Sequence, residues 1–94
     1  MSKFSRGASA WKEYRLADAL QLEHTLYTVQ LVARRGTGVQ GYRVTLHFIP
    51  HDAGAEVQAE LPNAASTADV HRTVRELQAD PARLAVLYHE ARTP

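Results

Sequence analysis

Three stretches of alternating apolar and polar residues, joined by short links rich in turn formers, constrain this 94-residue chain more than any other feature. In the first, Tyr27, Val29, Leu31 and Ala33 alternate with Thr28, Gln30 and Val32. In the second, Tyr42, Val44, Leu46 and Phe48 alternate with Arg43, Thr45, His47 and Ile49. In the third, Val57, Ala59 and Leu61 alternate with Glu56, Gln58 and Glu60. Successive side chains of a strand point to opposite faces, so each stretch predicts a strand with one apolar face. The link Arg34–Gly41 carries Gly36, Gly38 and Gly41, and the link Pro50–Ala55 carries Pro50, Asp52 and Gly54. Links of that length and chemistry predict antiparallel hairpins. A sheet with one apolar face needs a cover.

The last third of the chain supplies that cover. Ser66 with Asp69 three residues later resembles a capping box, with Asp in place of Glu or Gln. Val70, Val74 and Leu77 then mark one apolar stripe of a helix. Asp80 and Pro81 end it and start another, with Asp80 as N-cap and Pro81 at the first helical position. Leu84, Leu87, Tyr88 and Ala91 repeat at helical spacing. Trp11–Leu22 is ambiguous: Ala17, Asp18 and Ala19 favour helix, whereas Tyr14, Leu16, Leu20 and Leu22 fit a period of two broken at Asp18. A helix is the expectation there, with Trp11 anchoring it to the core. Residues 1–10, small and polar, are expected to form a flexible arm. The fold expected is therefore α+β, in the order α-β-β-β-α-α. It is a three-stranded antiparallel meander with the helices packed on one face, formed by residues 11–94 as a single domain.

The chain's 45% hydrophobic and 22% charged residues are ordinary for a folded domain and argue against disorder. The absence of Cys excludes disulfides, a thiol nucleophile and a thiolate zinc site. No apolar run reaches the roughly 18 residues of a membrane-spanning helix. The N-terminus has Lys3 and Arg6 without an apolar stretch behind them, unlike a secretory signal. A cytoplasmic location is expected. The net charge of +1 hides an asymmetry. Residues 1–47 carry seven basic side chains and three acids, a balance of +4, and residues 48–94 carry four and seven, a balance of −3.

Five histidines invite a metal or acid–base reading, but no pair has ligand spacing on one predicted helix. His47 falls on a strand and His51 in the turn after it, while His71 and His89 fall on different helices. Ser66 reads as a helix cap, and there is no Gly-x-Ser-x-Gly elbow. No catalytic residue, metal ligand or cofactor site is inferred, and a non-enzymatic role is expected, with no small-molecule substrate. The Arg34–Gly41 link carries two guanidiniums at a hairpin tip but matches no nucleotide-binding glycine pattern.

The order helix, three-strand meander, helix over Trp11–Gln78 resembles the layout of double-stranded-RNA-binding domains. In that family the first helix and the loop between the first two strands touch minor grooves, and a Lys-rich N-terminus of the second helix holds phosphates. The resemblance implies phosphate contacts from Lys12, Arg15, Arg34 and Arg35, and Arg43 joins them as a candidate contact of the basic N-terminal half. The segment Asn63–Asp69, matching the third region, has no Lys or Arg and carries an acid.

Two functions follow as expectations. The first is a protein–protein interaction module, either self-associating as a dimer or an accessory or inhibitor subunit. In a three-stranded meander the segment from Thr25 to Ala33 is an edge, and it lacks charge, Pro and Gly. Such an edge recruits another chain, with Leu26, Thr28, Gln30 and Val32 as its partner-binding residues. The alternative is a nucleic-acid-binding domain that uses the basic N-terminal half.

Overall fold

The computed structural model describes residues 11–35 and 41–93. The expected N-terminal arm, the loop residues 36–40 and the side chain of Trp11 lie outside the described residues. The class is α+β: a four-stranded antiparallel sheet followed by two helices. The strands are β1 (Trp11–Leu22), β2 (Thr25–Arg35), β3 (Tyr42–Pro50) and β4 (Val57–Ala64). The helices are α1 (Thr67–Gln78) and α2 (Pro81–Arg92). Strand order follows the chain, β1-β2-β3-β4.

The expected first helix is a strand, and the physical reason lies at Ala17–Ala19. The register between β1 and β2 shifts between Arg15 and Ala17, and again between Ala17 and Leu20. Each shift places one extra residue in β1, as a bulge does. The residues of low β-propensity sit at these irregularities, where regular pairing is not required of them. The shifts also keep Tyr14, Leu16, Leu20 and Leu22 on the core side despite the broken alternation, and Leu16 and Leu22 are buried. Glu23 and His24 make a two-residue turn into β2, with Glu23 at φ 58°.

A second correction follows from the first. Because β1 pairs along β2, the segment carrying Leu26, Thr28, Gln30 and Val32 is hydrogen-bonded on both sides and is not an edge. The edges are β1 and β4. The side-chain amide of Gln78, at the end of α1, donates to the Arg15 carbonyl of β1 at 3.0 Å. In β4 the register shifts opposite Tyr42–Val44, adding a residue around Pro62 and Asn63. Pro is tolerated at such an edge bulge because it owes the ladder no N–H. The RNA-binding-domain layout does not carry over either, since its first helix is missing here and the sheet has a fourth strand.

The core lies between the sheet and the helices. Val29, Leu31, Leu46 and Phe48 on the two central strands are wholly buried. Burying each such side chain contributes about 1.5–3 kcal/mol. The helices present Val70, Val74, Leu77, Leu84, Leu87 and Tyr88 to the core, the stripes read from the sequence, apart from Ala91, which is exposed. Tyr88 packs between Tyr27 and Phe48, with ring centroids 5.1 and 5.4 Å away. Both helix starts are capped as expected. Ser66 Oγ accepts from Asp69 N at 3.2 Å, and Asp80 Oδ1 accepts from Arg83 N at 3.1 Å.

Candidate interaction face

Both helices pack on the same side of the sheet, so period-two alternation sends the other half of the strand residues to the face that no described helix or strand covers. On the central strands these are Leu26, Thr28, Gln30, Val32 and Arg34 of β2, and Arg43, Thr45, His47 and Ile49 of β3. Neither central strand carries an acid on this face. The acids stand to the sides: Glu13 on β1, Glu60 on β4, and Glu56 just before β4.

A groove of about 430 Å³ runs across β2, β3 and β4 on this face. Val32 is only 6% exposed and forms its floor. Thr45 lies beside Val32 in the register. At one end Arg34 and Arg43 are direct cross-strand partners. Arg43 Nη2 is 3.6 Å from Glu60 Oε2, and the two side chains are 63% and 79% exposed. An ion pair this open adds little, about 0–1 kcal/mol.

At the other end of the groove, His47 Nδ1 donates to Glu56 Oε2 at 2.5 Å, and Gln58 Nε2 donates to the same oxygen at 3.0 Å. The His47 bond holds the Glu56 carboxyl below the usual carboxylate range, with Gln58 adding to it and partial burial opposing it. Orienting one imidazole nitrogen toward Glu56 leaves Nε2 without a hydrogen bond among the described residues. Sequence reading missed this pair because it matched His47 only against other histidines. The hairpin between the second and third alternating stretches was the signal, since it folds Glu56 back toward His47. A His–carboxylate pair is half of a general-base arrangement, but neither hydroxyl on this face of the central strands, Thr45 or Thr28, is hydrogen-bonded to His47. Among the described residues no three His, Cys, Asp or Glu side chains converge as a metal would need.

Beyond the groove, near the β1 bulge, the Asp18 carbonyl accepts from Thr28 Oγ1 at 3.1 Å and from His51 Nε2 at 3.2 Å. His51 Nε2 also lies 2.9 Å from Thr28 Oγ1. A carbonyl only accepts, so His51 carries its proton on Nε2 in this arrangement. The cluster ties the bulge to β2 and to the turn after β3.

The five expected phosphate contacts do not share a face. Arg15, Arg34 and Arg43 lie on the open side, and Arg15 pairs with Asp18 at 3.1 Å. Lys12 is opposite Ala33 on the helix side, in a shallow cleft with Tyr14 and Tyr42. Arg35 is also on the helix side, its guanidinium 5.8 Å from the centre of the Tyr42 ring. Comparison of the chain with protein-family models, with curated proteins and with solved structures finds no match to any of them.

Proposed function

We propose that this chain is a non-enzymatic protein-binding module that docks a partner polypeptide through the open face of its sheet. One observation carries the reading: both helices cover the same face, and the opposite face keeps a groove floored by Val32 between walls of charged and polar side chains. An apolar floor with a polar rim is the layout of a protein interface core. A partner here reads side chains of the central strands and needs no free strand edge. Leu26, Thr28, Gln30 and Val32 thus stay in the proposal as side chains on the open face. A nucleic-acid role has less support. Glu13, Glu56 and Glu60 flank the arginines of this face, and Lys12 and Arg35 are on the other side. A phosphate backbone calls for a continuous basic track.

Site-specific photo-crosslinking tests the reading. A photoreactive residue at Thr45, in the groove, is expected to capture one discrete polypeptide or a second copy of this chain from the native host. The same group at Arg72, on the outer surface of α1, is expected not to capture it. Equal capture at both positions, or capture only at Arg72, would contradict docking through the open face.

A further inference from the structure

We propose that the partner seated on the open face is a second copy of this chain, stacked sheet to sheet about a two-fold axis that crosses the strands. This rests on the open face being the docking surface and names its occupant. The strand register lays the centre of that face out in two adjacent rows. One row, from β1 to β4, is Glu13, Val32, Thr45 and Glu60. The other, two residues away along each strand, is Arg15, Gln30, His47 and Gln58. The first row has an acid at each end, and the second has a guanidinium and an amide in those places. A two-fold axis midway between the rows lays each strand over its own copy and each row over the other. Glu13 then meets the partner's Arg15, and Glu60 meets the partner's Gln58. Thr45 comes over the partner's His47, and the stem of the partner's Gln30 covers Val32. Every contact occurs twice, as a closed dimer requires.

The side chains are already set for these contacts. Glu56 holds His47 through Nδ1 at 2.5 Å, which leaves Nε2 for the hydroxyl of the partner's Thr45, a group that both donates and accepts. Gln58 Nε2 gives one N–H to Glu56 at 3.0 Å and has a second for the partner's Glu60. Glu60 is tied to Arg43, and Arg15 to Asp18, only by exposed ion pairs that yield easily to a new contact. An axis along the strands fits less well, because it sets Glu13 over the partner's Glu60. Pairing through the strand edges is opposed too. β1 carries Lys12, Glu13, Arg15 and Asp18 and two register shifts, and β4 carries Glu60 and the bulge near Pro62. Charges, Pro and bulges keep an edge from recruiting another chain. Four strand widths and the nine residues of β3 make a face of about 20 by 30 Å. That is small for an interface, so the dimer is expected to dissociate in the micromolar range.

Sedimentation equilibrium of the full chain, from about 1 to about 500 µM, is the test. The wild type is expected to be a dimer at the upper end. Glu13→Arg sets cation over cation across the axis, and Arg15→Glu sets acid over acid. Each is expected to weaken the dimer about tenfold or more. An equimolar mixture of these two variants is expected to regain it, because every facing pair is then opposite in charge. Both positions are exposed, and thermal midpoints near that of the wild type verify that the variants fold. Thr45→Lys, two strands in from the β1 edge, is expected to dissociate the dimer as well. A dimer left intact by Thr45→Lys would place the contact at the strand edges and overturn the proposal. A wild type that stays monomeric at about 500 µM would overturn it, as would a mixture that dimerises no better than its components. If crosslinking at Thr45 then captures a different polypeptide, docking through the open face survives without the second copy. Failure of that broader reading shows separately, as crosslinking at Arg72 instead of Thr45.

Discussion

The hydroxyls of Tyr27 and Tyr88 meet 2.8 Å apart, joining the central strand β2 to helix α2 inside the core. Arg92 extends the chain of contacts, donating to the Tyr88 hydroxyl at 3.0 Å and to Glu23 at 2.8 Å in the β1–β2 turn. The last turn of α2 is thereby fastened to the start of β2. The hydrogen bond to Tyr88, and then burial, push the ionisation of Tyr27 up to about 12 from its ordinary 10.0. The folded state therefore holds this proton more tightly than the unfolded state does. Its contribution to stability is complete below pH 10.0 and is lost as pH rises through about 12. Denaturant midpoints measured across that range are expected to fall, and the fall is expected to be shallower in Tyr27→Phe. At neutral pH that substitution is expected to cost about 0.5–1.5 kcal/mol, the usual net value of one hydrogen bond.

Glu56 gives the opposite slope at acid pH. Its carboxyl is held below its ordinary 4.5 by His47, so the folded state favours the ionised form. That stability is present above pH 4.5 and is lost as pH falls through the lowered value. Glu56→Gln is expected to reduce the acid-side loss, as read from thermal midpoints in a pH series.

Of the described glycines, Gly41 is the one where a side chain is least tolerable. Its φ is 86°, and an added Cβ would stand 2.3 Å from the Ala64 carbonyl oxygen. That oxygen belongs to the backbone at the end of β4 and cannot move aside without disturbing the strand. Gly41→Ala is expected to destabilise the fold by about 1–3 kcal/mol, from the left-handed backbone and the clash together. Equilibrium unfolding in denaturant measures it.

Much of this architecture was legible in the residues. The alternation at Tyr27–Ala33, Tyr42–Phe48 and Val57–Leu61 gave three strands and their core faces. Ser66 and Asp80 gave both helix starts. Trp11–Leu22 was misread because bulges let a strand carry Ala17-Asp18-Ala19, and a bulge depends on its partner's register. The error moved the sheet's edge by one strand, turning Leu26, Thr28, Gln30 and Val32 from edge residues into face residues. The Arg34–Arg43 pair needed the same hairpin register, which sequence leaves free by a residue or two. The split of Lys12 and Arg35 from the other basic residues depended on it too.

The cap at Ser66 gives a test of local chemistry. Its hydroxyl is the side-chain acceptor for Asp69 N at the start of α1. Ser66→Ala is expected to lower stability by about 0.5–2 kcal/mol. An unchanged unfolding midpoint would mean that this bond contributes nothing.

Filling the groove tests the central claim, that the open sheet face is the binding surface. Thr45→Tyr places a ring beside the Val32 floor without touching the core, and Arg72→Ala alters only the outer surface of α1. The measurement is the affinity of the crosslinked partner, once isolated, for each variant by calorimetry. The account predicts that Thr45→Tyr weakens binding about tenfold or more, while Arg72→Ala leaves it unchanged. Undiminished binding by Thr45→Tyr, with its fold intact, would contradict the account.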